Sequence, residues 1–286
     1  MKRLEIPDIE FTEVVDKIVE GITGDDALAD KVVQERIGLL TANDNYHAVG
    51  RTAELYTIPA VRGAGNLPVI GALSKGDLVK LYKNYFAKKA KPARAIYNQL
   101  MVAAKDECVF CGGIGRPRNL DHYLPKASFP QYSVIPVNLV PSCRDCNMDG
   151  KGEVYATAVH EQVLHPYLDH NRFYDEQWIE ATCTFDHAGI GVTEYNVSPP
   201  LHWAEEDKRR VQKHFEAFDI GRAYSREAAS RMTIYAQQIR QLLGHGIAEG
   251  EAKNAILAPP IENAPFINHW ERVMCIALRD YSFLAE

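Results

Sequence analysis

Hydrophobic positions in the first hundred residues recur at helical spacing. Ile9, Phe11, Val14, Val15, Ile18, Val19 and Ile22 share a face, with acids and Lys17 between them, and Gly21 and Gly24 mark the end. Leu28, Val32, Val33, Ile37 and Leu40 make a second amphipathic run. The stretch YTIPAVRGAGNLPVIGAL, residues 56–73, holds two prolines and three glycines and predicts a connector or short strands. Ser74, with Asp77 three residues on, predicts a capping box for a helix through Leu78, Leu81, Tyr82, Tyr85 and Phe86. Pro92 either starts the next helix or kinks this one, and Ile96, Tyr97, Leu100 and Met101 form the next stripe. All of these stripes read as core.

Farther along, residues 153–169 read as a broken element closed by Pro166, and residues 180–199 alternate around DHAG as a hairpin. Helices are expected over 203–218, over 225–243 with Gly244 as the cap, and over 264–281 with Pro265 in the first turn. The pattern predicts a mainly α protein with a small α+β insert. Its expected regions are an N-terminal helical part (1–104), a small central unit (105–152), and a C-terminal part of hairpin and helices (153–286).

Composition changes this picture only locally. The 286 residues are 46% hydrophobic and 24% charged, ordinary for a globular protein. No apolar run is long enough to cross a bilayer and the N-terminus lacks a signal-peptide pattern, so a cytoplasmic protein is expected. The net charge of −6 argues against nucleic acid as partner, but the average hides an asymmetry. From Lys75 to Arg118 there are ten basic residues against Asp77, Asp106 and Glu107. That run reads either as a solvated helix face or as a surface that touches phosphate, with Arg116 and Arg118 nearest the cysteines that follow.

Those cysteines carry the chemistry. CVFC (108–111) and CRDC (143–146) are CxxC pairs separated by 31 residues, whereas Cys183 and Cys275 stand alone as small apolar residues. Two residues between cysteines let one tight turn aim both sulfurs at one ion, and two such knuckles supply the four thiolates of a closed zinc site. GGIG after the first pair allows the turn, and Ser142 before the second could cap a helix that begins at Cys143. Such a zinc is structural, because no coordination position is left for water.

Between the knuckles lie Asp121 and His122, with Asn138 sixteen residues beyond and Asn147 directly after Cys146. A carboxylate and an amide oxygen are hard donors suited to Mg²⁺ or Mn²⁺, and a neutral imidazole can take a proton from water. On a strand Asp121 and His122 would point to opposite faces, so a twist or bulge is expected to bring them to one site.

The order CVFC…LDHYLP…VNLVPSCRDCN resembles the HNH endonuclease family, in the branch whose ββα-metal finger is stapled by a CxxC pair at each end. The resemblance covers residues 108 to about 152. It implies that Asp121 and Asn147 hold a catalytic divalent ion, that His122 is the general base, and that Asn138 braces the loop. It also implies DNA as substrate, with Lys126, Arg144 and Lys151 as candidates for phosphate contact or plain surface charges. Asn147 stands where many members have a final His, and Pro130 and Pro136 make the intervening turn irregular. The flanking segments more loosely resemble a bacterial HNH family of anti-phage operons, which implies a protein partner such as an ATPase subunit.

Two other readings remain open: a non-catalytic zinc module that binds nucleic acid or protein, and a redox dithiol protein. His160, His165 and His170 recur every five residues, which aligns them on no helix face, and His165 before Pro166 reads as a packed turn residue. There is no P-loop.

Overall fold

The computed structural model describes every residue except 188, 190, 285 and 286. The amphipathic stripes become α1 (Phe11–Gly21), α2 (Asp26–Gln34) and α3 (Arg36–Arg51). The second run, expected as one element, is two helices broken at Glu35, whose carboxylate accepts from Ala72 N and ties the break to the next connector. That connector holds β1 (Pro68–Ile70) and β2 (Leu73–Ser74), short and antiparallel. The capping box forms: the Asp77 amide donates to Ser74 Oγ and Ser74 N–H donates to the Asp77 carboxylate.

From that cap runs α4 (Lys75–Lys80), which passes without a break into a π-helical turn, Leu81–Phe86. The chain then enters α5 (Arg94–Ala103), two residues after Pro92. The central unit is β3 (Asn119–His122), β4 (Leu139–Ser142) and a helical segment that becomes a π turn over Cys146–Lys151. β3 and β4 pair antiparallel in regular register, from Asn119 opposite Ser142 to His122 opposite Leu139. Two of the three prolines of the intervening loop open 3₁₀ turns, Pro130–Tyr132 and Pro136–Asn138, as a fixed φ favours.

The C-terminal part opens with a 3₁₀ turn, Val159–Glu161, followed by α6 (Arg172–Asp175), then β5 (Ile179–Phe185) and β6 (Gly191–Val197), paired in register with one buried face. The hairpin is as expected, although part of its DHAG turn lies outside the described residues. α7 (Glu205–Ala217) and α8 (Ile220–Gly244) follow, then α9 (Glu249–Glu262) and α10 (Trp270–Asp280). α8 lies along β6, α10 along β5.

α8 starts at Ile220 rather than at 225, and α9 lies where the pattern predicts no helix. Two further boundaries differ from the sequence expectation. Gly244 is still helical, and the closing turn bonds Ile247 N–H, three residues beyond it, back to Leu242 O. The last helix starts at Trp270 rather than near Ala264, because Asn268 turns the chain by bonding Trp178 N, Ile179 N and Glu176 O across the fold.

One continuous cluster of buried side chains runs from Met1 to Phe283 and takes in residues of all three sequence regions, with Trp178 among its largest members. Among the described residues no helix is long and apolar enough to cross a membrane.

Candidate metal centre and adjoining cleft

The two knuckles meet. Cys108, Cys111, Cys143 and Cys146 are buried free thiols whose sulfurs all lie within 4.8 Å of one another. A tetrahedron with Zn–S bonds of about 2.3 Å has sulfurs about 3.8 Å apart, so the donor set fits zinc. Backbone amides point at three sulfurs: Gly115 N to Cys111 Sγ (3.3 Å), Cys143 N to Cys108 Sγ (3.3 Å) and Cys146 N to Cys143 Sγ (3.5 Å). Such donors stabilise thiolates and hold a ligand set in place before the ion arrives. Hydrogen bonds from Cys111, Cys143 and Cys146 hold the Cys108 thiol well below its ordinary pKa.

The local sequence explains the geometry. Gly112 and Gly113 both take positive φ after the first knuckle, as its tight turn requires. Ser142 does not cap the second: its hydroxyl donates to Cys143 O, and it is the last residue of β4. The sulfurs are therefore set by where a strand hands over to a helix. The buried four-cysteine cluster could hold a structural zinc ion, and it is compatible with a CxxC…CxxC zinc module.

Next to the knuckle helix lies a cleft of about 270 Å³ lined by Asp121, His122, Pro125, Lys126, Ala127, Asn147, Met148, Gly152 and Glu153. Asp121 and His122 thus reach one site, and they do so without the expected bulge, at the end of a regular ladder. Both are buried, at 6% and 3% exposure. His122 Nε2 is 2.9 Å from Ser133 O; since a carbonyl only accepts, Nε2 carries the proton and the Nδ1 lone pair is left as a base. Burial pushes the His122 pKa well down, with Lys126 adding to the effect, so the ring is neutral.

Asp121 Oδ2 is buried with no hydrogen-bond partner. Its nearest charge is Lys151 Nζ at 3.6 Å. Burial raises the Asp121 pKa and Lys151 opposes that shift. The Asn147 amide nitrogen donates to Asn119 Oδ1 at 3.0 Å, which fixes the amide's rotation. Among the described residues, the four sulfurs are the one set of three or more Cys, His, Asp or Glu donors grouped tightly enough for an ion.

Asn138 does not line the cleft; it clamps the wall. Its Oδ1 accepts from Leu124 N (2.7 Å), and its Nδ2 donates to Leu124 O (3.2 Å) and Tyr132 O (3.0 Å). The wall residues Pro125, Lys126 and Ala127 lie between those two anchor points.

The basic candidates separate by position. Lys126 is half-buried in the cleft. Arg144 is exposed on the knuckle helix, and Arg116 and Arg118 are exposed between the first knuckle and β3, with Arg116 3.6 Å from Asp106. Lys151, expected at the surface, is turned inward: its ammonium donates to His122 O at 2.6 Å and sits at 5% exposure. The π turn carries it behind the cleft floor instead of toward solvent.

Two further residues shape the site: Tyr82, which the pattern assigns to core, and Tyr46, which it does not single out. The Tyr82 ring lies edge-on to His122 at 4.3 Å, with Lys126 Nζ 5.5 Å from its centroid. Tyr46 donates to Asn138 Oδ1 at 2.9 Å. Helical spacing marks Tyr82 as buried and does not single out Tyr46; nothing in it marks what a buried ring touches. Cys183 and Cys275 are buried, as their isolation suggested.

No family model matches the chain, and no solved structure matches it. Protein ea31 of Escherichia phage lambda is 34% identical over 290 residues, an alignment that spans 97% of each chain.

Proposed function

We propose that this chain, which belongs to the family of phage lambda protein ea31, is a metal-dependent HNH-type endonuclease that hydrolyses DNA phosphodiester bonds. The observation that carries the reading is the cleft beside the thiol cluster. It gathers a buried carboxylate oxygen without a hydrogen bond, a neutral imidazole with its Nδ1 lone pair unused, and an oriented amide. Asp121 Oδ2 has the Lys151 ammonium 3.6 Å away but no hydrogen bond, and a hard cation on the cleft side is a partner that Asp121 Oδ2 with Asn147 Oδ1 would accept.

Each side chain then has a task. Asp121 and Asn147 would hold Mg²⁺ or Mn²⁺, which when bound polarises the scissile phosphate and stabilises the departing 3′ oxygen. His122 Nδ1 accepts the proton of the attacking water, while its Nε2–H bond to Ser133 O keeps the ring aimed. Lys126 supplies positive charge to the phosphate from the cleft wall. A structural zinc on Cys108, Cys111, Cys143 and Cys146 would close the β3–β4 hairpin onto the helix that bears Asn147, so that donors from two elements meet. An anti-phage setting with an ATPase partner is the biological extension of the same reading.

The test is direct. Supercoiled plasmid is nicked or linearised with Mg²⁺ or Mn²⁺, EDTA stops the reaction, and His122→Ala abolishes it while one zinc per chain remains. Cutting by His122→Ala at the wild-type rate would sink the mechanism. Failure of the wild-type protein to cut with either metal would favour the alternative of a zinc module that binds nucleic acid or a protein without chemistry.

A further inference from the structure

A chain of hydrogen bonds crosses the buried interior from the C-terminal part of the protein to the cleft wall. Arg210 on α7 holds Asp169 through two bonds, Nη1 to Oδ1 at 2.9 Å and Nη2 to Oδ2 at 2.7 Å. Asp169 Oδ2 also accepts the backbone N–H of His165 at 2.6 Å. His165 Nε2 lies 3.1 Å from the Tyr46 hydroxyl, and that hydroxyl lies 2.9 Å from Asn138 Oδ1. Tyr46 and Asn138 are fully buried, and His165, Asp169 and Arg210 are at most 5% exposed.

The proton positions follow from the partners. Asn138 Oδ1 can only accept, so Tyr46 gives it its one proton. Tyr167 N–H points at His165 Nδ1 at 3.3 Å, so that nitrogen is bare and Nε2 carries the ring proton toward Tyr46. Every bond then runs one way, from His165 through Tyr46 into Asn138, and Asn138 is the residue that pins both Leu124 and Tyr132.

We infer that Tyr46 and His165 are positioning residues for the cleft: through Asn138 they hold the wall segment that follows His122 and carries Lys126. This rests on the nuclease reading above. Buried polar networks are seldom the most stabilising way to fill a core, since apolar side chains of similar volume often do as well. What a fully satisfied network adds is one fixed geometry, and here its far end is the reactive site. The finger between residues 105 and 152 therefore draws its working shape from α3 before it and from residues 165–210 after it.

The test uses the full chain. Tyr46→Phe removes one oxygen and keeps the ring that packs on Tyr132 at 5.1 Å. It is expected to lower kcat for plasmid cleavage by about tenfold to a hundredfold, with KM and zinc content near wild type. His165→Gln, which keeps an N–H donor for Tyr46, should retain more activity than His165→Leu. A lower melting temperature with kcat unchanged in Tyr46→Phe, at a temperature where the variant is folded, overturns the inference. If Tyr46→Phe does not fold, the two His165 variants decide, and equal activity in both overturns it.

If the wild-type protein does not cut, the nuclease reading fails, and amide hydrogen exchange still decides the positioning. Faster exchange of Leu124 N–H in Tyr46→Phe supports it, and unchanged exchange there overturns it.

Discussion

Lys151 and Asp121 face each other inside the protein, ammonium to carboxylate at 3.6 Å, with both side chains less than a tenth exposed. The same ammonium donates to His122 O. A positive charge thus stands behind the cleft, offsetting the cost of burying Asp121. Lys151→Met leaves that carboxylate and the His122 carbonyl without their partner, and loss of one member of a buried pair costs about 3–5 kcal/mol. Urea denaturation should show the loss, and Lys151→Met combined with Asp121→Asn should be less destabilised than the sum of the single changes. Simple additivity would mean the two side chains do not interact.

The four thiols act as a unit, so Cys143→Ser should lose zinc and unfold the central hairpin locally. Zinc-site energies in small peptides are about 10–16 kcal/mol, large against the stability of a domain. Gly115→Ala is a subtler test, because its new Cβ would lie 2.5 Å from Cys143 Sγ and must push that sulfur aside. Zinc affinity, measured by competition with a chelator, should fall in Gly115→Ala. A full zinc complement in Cys143→Ser would show that the ligand set is wrong.

Acid should destabilise the fold through two buried histidines, His165 and His214. Burial lowers the pKa of His165 and of His214 to about 3, from an ordinary 6.5. Between those values the unfolded chain binds protons that the folded chain refuses. Stability is therefore full above about pH 6.5, declines as the pH drops below that value, and levels off near pH 3. His165→Gln should flatten part of that decline in melting temperature against pH. An identical slope would mean that the ring does not stay neutral in the fold.

Tyr82 should matter for its ring rather than its hydroxyl. The ring packs on His122 at 4.3 Å, whereas the hydroxyl makes one long bond, 3.3 Å to Leu120 O. Tyr82→Phe should cut plasmid like wild type. Tyr82→Ala should lose about tenfold or more as the imidazole gains freedom. Equal activity in the two variants would remove Tyr82 from the site.

How much of this was legible along the chain depends on how local the cause is. Helical stripes, the Ser74–Asp77 box and the β5–β6 alternation are set by neighbours within a few residues, and they appear where the pattern put them, except that the second stripe breaks at Glu35 and leaves Val33 and Ile37 exposed. The CxxC spacing is likewise local, because two intervening residues suffice to turn two sulfurs toward one point. The start at Trp270 is not legible along the chain, since the turn that sets it depends on bonds such as Asn268 to Trp178, ninety positions away. The end near Gly244, in contrast, is closed by local bonds, Gly246 N–H to Leu243 O and Ile247 N–H to Leu242 O.

Tertiary packing alone decided the rest. Whether Lys151 points to solvent or inward, which ring covers His122, and that Tyr46 and His165 meet at Asn138 are outcomes of long-range closure. Periodicity says that a side chain is buried; only the assembled core says against what. The sequence by itself determined the metal-binding chemistry and the helical class, because thiol spacing and hydrophobic period are properties of short segments. Which polar groups share one buried space depended on where distant segments came to rest.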